Sequence, residues 1–111
     1  MLWQKEVLNV TINSGSGAAN SANKMKGRIE QMIIQPLDSS NVLLSNAIWD
    51  CAITDEDGYR VSYYQTITGE SDDRTPLPVG SDDSEVLRFT FSNVLNSPTT
   101  MRIIIKVLEE A

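Results

Sequence analysis

Three features of the sequence predict an all-β fold, an antiparallel β-sandwich of jelly-roll or Ig-like kind with about six to eight strands and no substantial helix. Apolar residues alternate at period two from one end of the chain to the other, as a strand with one buried face requires. No window of about eleven residues carries the i, i+3, i+4, i+7 apolar stripe of an amphipathic helix. Turn-rich segments separate the alternating runs, leaving no helical stretches to serve as parallel crossovers.

The first strand is marked by Leu8, Val10 and Ile12 alternating with Asn9 and Thr11. "NSGSGAANSAN", residues 13–23, is built of small residues that neither pack nor stiffen the chain, and is expected to be a flexible loop between two paired strands. The next strand, Lys24 to Gln35, changes character midway. Lys24, Lys26 and Arg28 alternate with Met25, Gly27 and Ile29, but Met32, Ile33 and Ile34 are consecutively apolar, so its second half is expected to be buried on both faces or bulged. Pro36 lacks a ladder donor and is expected to end it. Residues 38–44 hold a helical turn at most.

Trp49, Cys51 and Ile53 mark a strand, and Val61 and Tyr63 mark the apolar face of the next. Between them, Asp57-Gly58 suggests a hairpin. A two-residue turn would set Ile53 against Ser62 and Cys51 against Tyr64, apolar face beside polar face. A three-residue loop, Glu56-Asp57-Gly58, pairs Asp55 with Tyr59, Ile53 with Val61 and Cys51 with Tyr63, and places Gly58 in the left-handed conformation of a G1 bulge. Residues 68–84, with Pro76, Pro78 and many acids, are expected to form a second flexible loop. Leu87, Phe89 and Phe91 mark another strand. Met101, Ile103, Ile105 and Val107 mark the last, where Ile104 on the second face implies a central position or cover by a partner chain. One domain, residues 1–111, accommodates all of this, since a chain of this length buries roughly two-thirds of its unfolded surface.

Charge and composition exclude several functions. A formal net charge of −6 disfavours nucleic acid and anionic membranes as partners, because phosphate affinity comes from Lys and Arg. No apolar run is long enough to span a bilayer. Met1-Leu2-Trp3 is followed at once by Gln4, Lys5 and Glu6, unlike a signal peptide, so a reducing cytoplasm is expected. The lone Cys51 sits in an alternating apolar run and is expected to be a buried structural thiol.

The absence of histidine removes the commonest general base, the Ser-His and Cys-His nucleophiles and most zinc sites. A carboxylate pair for glycosidase chemistry needs two acids converging in a cleft, whereas the acids here cluster in turns, where water keeps them ordinary. The "DEDG" stretch also fails as a calcium loop: with Asp55 first, Arg60 stands where glycine is needed and Thr66 where a bidentate glutamate is needed. No catalytic residue, cofactor site or metal site is therefore assigned.

Two features suggest a partner. Lys24, Lys26 and Arg28 form a basic stripe on an acidic chain, either protecting an edge strand from aggregation or docking onto another protein. Leu2 and Trp3 place bulky apolar groups at a terminus, where they either seal the core or anchor on a neighbour.

The runs "KGRIEQMIIQP", "IWDCAITDEDGYRVSYY", "LRFTFSNVL" and "TTMRIIIKVLEE" resemble small β-sandwich structural proteins of tailed bacteriophages. The resemblance covers most of the chain after Lys24. It implies a non-enzymatic virion component assembled in the host cytoplasm, first a capsid decoration or cement protein and second a neck, tail accessory or host-attachment module. Its partners would be the major capsid protein or other virion subunits, and it would be a homo-oligomer, with a trimer favoured. A carbohydrate-binding attachment module would instead use Tyr59, Tyr63, Tyr64 or Trp49 as a stacking platform. The contact candidates Leu2, Trp3, Lys24, Lys26 and Arg28 come from the residues themselves and not from the resemblance.

Overall fold

The computed structural model describes residues 2–80 and 84–109. Nine strands run through them: β1 (Leu2–Thr11), β2 (Gly17–Asn20), β3 (Gly27–Leu37), β4 (Ile48–Thr54), β5 (Arg60–Thr68), β6 (Ser71–Asp73), β7 (Leu77–Val79), β8 (Arg88–Leu95) and β9 (Thr100–Glu109). No helix occurs among the described residues. The strands form two antiparallel sheets. The first has the order β1-β9-β3-β6, with β7 also on β3, and the second has the order β2-β8-β4-β5. The predicted β-sandwich is therefore the fold.

The period-two pattern explains the packing. Met101, Ile103, Ile105 and Val107 of β9 face inward and are fully buried, as are Trp49, Cys51 and Ile53 of β4 and Phe89 and Phe91 of β8. One apolar cluster joins both sheets. Trp49 lies at its centre, edge-on to Phe91 with ring centroids 5.8 Å apart, and its indole N–H donates to the Gly69 carbonyl at 2.8 Å. Gly69 is left-handed at φ 71°, and a Cβ there would sit 2.9 Å from the Ser45 carbonyl oxygen. β9 is central, flanked by β1 and β3, which accounts for its apolar second face.

Several expectations need correction. Strands number nine rather than six to eight because both stretches expected to be flexible loops contribute short ones: β2 lies within 13–23, and β6 and β7 lie within 68–84. Backbone pairing to β8 and β3 compensates for the weak intrinsic strand preference of Gly, Ala and Asp there. Residues 13–23 do not join paired strands either, since among the described residues β1 pairs with β9 alone and the chain crosses to the other sheet. Asp82 and Asp83 lie outside the described residues.

β3 carries the expected irregularity, a register shift against β9 between Ile29 and Gln31. Pro36 does not end it. The Pro36 carbonyl accepts from Leu44 N–H, so the side on which proline lacks a donor faces a loop, while Met101 of β9 lies opposite on the paired side.

The hairpin after β4 is half as expected. Asp55 N–H donates to the Tyr59 carbonyl at 2.9 Å and Gly58 has φ 85°, giving the three-residue loop. Beyond it the register shifts between Ile53 and Thr54, so Ile53 faces Ser62 and Cys51 faces Tyr64, and it shifts again between Trp49 and Cys51. Each shift inserts one residue into β5, so Val61, Tyr64 and Ile67 pack against the core at a spacing of three. Tyr63, expected to face inward, is exposed instead.

A basic and apolar sheet face as the candidate functional site

Carboxylates are the only abundant reactive groups in the chain, and the structure commits many of them to backbone amides. The Glu6 carboxylate accepts from Ala22 N–H at 2.8 Å and Asn23 N–H at 3.1 Å. Asp38 Oδ1 caps Ser40 and Val42, Asp55 Oδ1 caps Asp57 and Tyr59, Glu56 Oε1 accepts from Val86, and Glu85 Oε1 accepts from Gly80. Asp38 and Asp55 thus close their own exposed turns, the Asx-turn chemistry of aspartate, whereas Glu6 and Glu56 tie down segments distant in the chain.

Asp50, like Glu6, is buried. Its Oδ1 accepts from Thr66 N–H at 2.7 Å and its Oδ2 from Asn93 Nδ2 at 2.8 Å. Thr66 and Asn93 are both left-handed at φ 52°, and β4 shifts register against both neighbours beside Asp50. The Asn93 and Thr66 hydrogen bonds outweigh burial and hold the Asp50 carboxyl below its ordinary value.

Tyr64 O–H donates to Asp73 Oδ2 at 2.7 Å, linking β5 of one sheet to β6 of the other. Burial, then Asp73, pushes the Tyr64 phenol upward. At Asp73, burial acts to raise the carboxyl, but the Thr75 amide and the Tyr64 hydroxyl prevail and lower it. Cys51 is buried, and desolvation pushes its thiol up to about 12, as suits a packing residue. Among the described residues, no three His, Cys, Asp or Glu side chains gather as metal ligands.

What remains exposed and unusual is the outer face of the first sheet. The strand order brings side chains into rows: Trp3, Leu108 and Arg28; Lys5, Lys106 and Gln31; Val7, Ile104 and Ile33; Asn9, Arg102 and Gln35. Trp3 is 65% exposed and Val7 50%. A groove of about 520 Å³ lies here, lined by Trp3, Glu30, Gln31, Arg74 and Lys106. Gln31 Nε2 donates to Asp72 Oδ1 at 2.9 Å, and Arg102 Nε donates to Gln35 Oε1 at 2.9 Å. Lys5, Arg28, Arg74, Arg102 and Lys106 outnumber Glu30, Glu70 and Asp72, a basic excess in a chain of net charge −6. Lys5 and Lys106 stand directly opposite one another, an arrangement that favours an incoming anion.

Only part of the expected contact set lies on this face. Trp3 does, which overturns the idea that it seals the core. Leu2 pairs with Glu109 at the start of β1, but its side chain lies outside the described residues. Arg28 is on the face, paired with Glu30. Lys24 precedes β3 and approaches Glu56 of the hairpin at 4.0 Å. Gly27, at φ 137°, lies between Lys26 and Arg28 at the start of β3. β3 is not an edge strand, since β9 lies on one side and β6 and β7 on the other.

Sequence reasoning missed Lys5, Arg102 and Lys106. Alternation put each on a polar face, but only the order β1-β9-β3 makes those faces one surface. The aromatic residues weighed for glycan stacking are mostly occupied: Trp49 is buried, Tyr64 is tied to Asp73, and the Arg60 guanidinium covers the Tyr63 ring at 4.5 Å. No family model matches the chain, and no curated protein matches it.

Proposed function

We propose that this protein is a non-enzymatic structural component of a tailed-phage virion, a capsid decoration or cement protein that docks on the major capsid protein. The observation that carries the reading is the outer face of the first sheet. It combines an exposed tryptophan, an apolar row and a basic excess, the composition of a protein contact surface. The commitment of the carboxylates to backbone amides supports a structural role over an enzymatic one. In this reading the protein is assembled into virions in the host cytoplasm, and acidic groups of the shell meet Lys5, Lys106 and Arg102.

The test is co-sedimentation of purified protein with undecorated capsids. Wild-type protein is expected to pellet with them, and Trp3→Ala is expected to weaken occupancy by at least about tenfold, the effect of losing an aromatic anchor. Charge reversal at Lys106 and Arg102 should weaken it more than reversal at Lys24 and Lys26. Failure of the wild-type protein to bind sinks the reading.

A further inference from the structure

We propose that β1 pairs through its free edge with β1 of a second copy, antiparallel about a two-fold axis at Val7, so that the two first sheets become one continuous sheet. This goes beyond the virion reading and does not depend on it.

A sheet edge offers unpaired N–H and C=O groups to any matching strand, and folded proteins blunt such edges when they are not used. Three of the edges here are blunted. β5 is interrupted by two register shifts, β2 is four residues long, and β6 and β7 are three each, with Pro76 and Pro78 nearby. β1 differs: it is ten residues long, pairs with β9 without a register shift and, among the described residues, has no strand hydrogen-bonded on its other side, where Gly17 crowds only the Thr11 end. Glu6 points inward, but its carboxylate is taken up by the Ala22 and Asn23 amides.

The side chains of β1 narrow the register, and the one centred on Val7 joins the apolar rows best. Matching outer face to outer face requires the axis to pass through a residue position. An axis at Lys5 would oppose two lysines, and one at Glu6 two glutamates, both unfavourable. An axis at Val7 sets Lys5 against Asn9 of the second copy, so the two lysines do not meet, and the pairing runs through the middle of the strand, short of Thr11, which Gly17 crowds. It also extends the row Ile33, Ile104, Val7 into the same row of the second copy, covering the half-exposed Val7.

Sedimentation equilibrium and disulfide trapping test this. The wild-type chain is expected to be a dimer, and Val7→Asp, on an already half-exposed position, is expected to raise the dimer dissociation constant at least about tenfold by opposing two carboxylates. Far-UV circular dichroism and the melting curve of Val7→Asp monomer should still report a folded sandwich. Val7→Cys should yield a disulfide-linked dimer on mild oxidation, because Cys51 is buried and the two introduced thiols meet at the axis. Thr11→Cys, on the same face of the same strand, should not. A wild-type chain that stays monomeric up to about 1 mM, a trimer, a dimer indifferent to Val7→Asp, or equal trapping by Thr11→Cys would each overturn the proposal.

Discussion

In the first sheet β1 runs against β9 through ten consecutive pairs, from Leu2 opposite Glu109 to Thr11 opposite Thr100, without a slip. In the second sheet β4 slips against β5 twice and against β8 once. The regular pairing needs no side chain to define it, because the alternation of apolar and polar residues already does so, and it leaves a straight edge and a broad outer face. The irregular pairing is defined by side chains: Asp50 holds Thr66 on one side and Asn93 on the other, and Tyr64 reaches across to Asp73. Bulges increase twist and bend a strand, so the second sheet gives up a usable edge and gains a pinned core. The first keeps the surface on which contact with other chains is proposed.

Breaking the pin should cost most. Asp50→Ala leaves the Thr66 amide and the Asn93 side chain without their acceptor, and is expected to destabilise the fold by about 3 kcal/mol, a fall in melting temperature of roughly 15 °C. Asp50→Asn keeps one acceptor and should cost about half as much. The same carboxylate predicts acid sensitivity. Its folded value lies below its unfolded one, so its contribution is present above the unfolded value of 3.8 and is lost as pH falls through the folded value. Urea titrations from neutral pH down through that window should show the wild-type chain losing stability that Asp50→Asn never had.

Gly69→Ala comes next, at about 2 kcal/mol, because it combines a left-handed backbone with a Cβ placed 2.9 Å from the Ser45 carbonyl oxygen. Thermal melting measures it. The smallest effect belongs to Gly58→Ala. Gly58 is also left-handed, at φ 85°, but nothing lies within 4 Å of its would-be Cβ, so only the backbone term of about 1 kcal/mol remains. If Gly58→Ala proved as costly as Gly69→Ala, crowding at Ser45 would not be what separates the two turns.

The hairpin at Gly58 shows how far a sequence pattern reaches. Its three-residue loop and left-handed glycine were legible because the turn is local: Asp55, Asp57, Gly58 and Tyr59 supply every partner. The register two residues farther on was not, because the slip beyond Thr54 is stabilised by contacts remote in sequence, Tyr64 with Asp73 and Asp50 with Asn93. Trp3 illustrates the same limit at the candidate surface. Alternation put it opposite Gln4, but whether it faced the core or solvent depended on which side of β1 met the second sheet.

The sequence by itself determined the strands with apolar faces, the sandwich class that follows from having many of them and no helical stripe, the buried thiol, and the conformation of Gly58. A period of two specifies which face a residue occupies, and burial of apolar area makes that choice nearly independent of context. The tertiary structure decided which strands are neighbours, where bulges fall, that residues 17–20, 71–73 and 77–79 become strands at all, and that Lys5, Arg102 and Lys106 share one face with Trp3. These depend on backbone hydrogen bonds between segments distant in the chain, and every backbone amide carries the same donor and acceptor whatever its side chain.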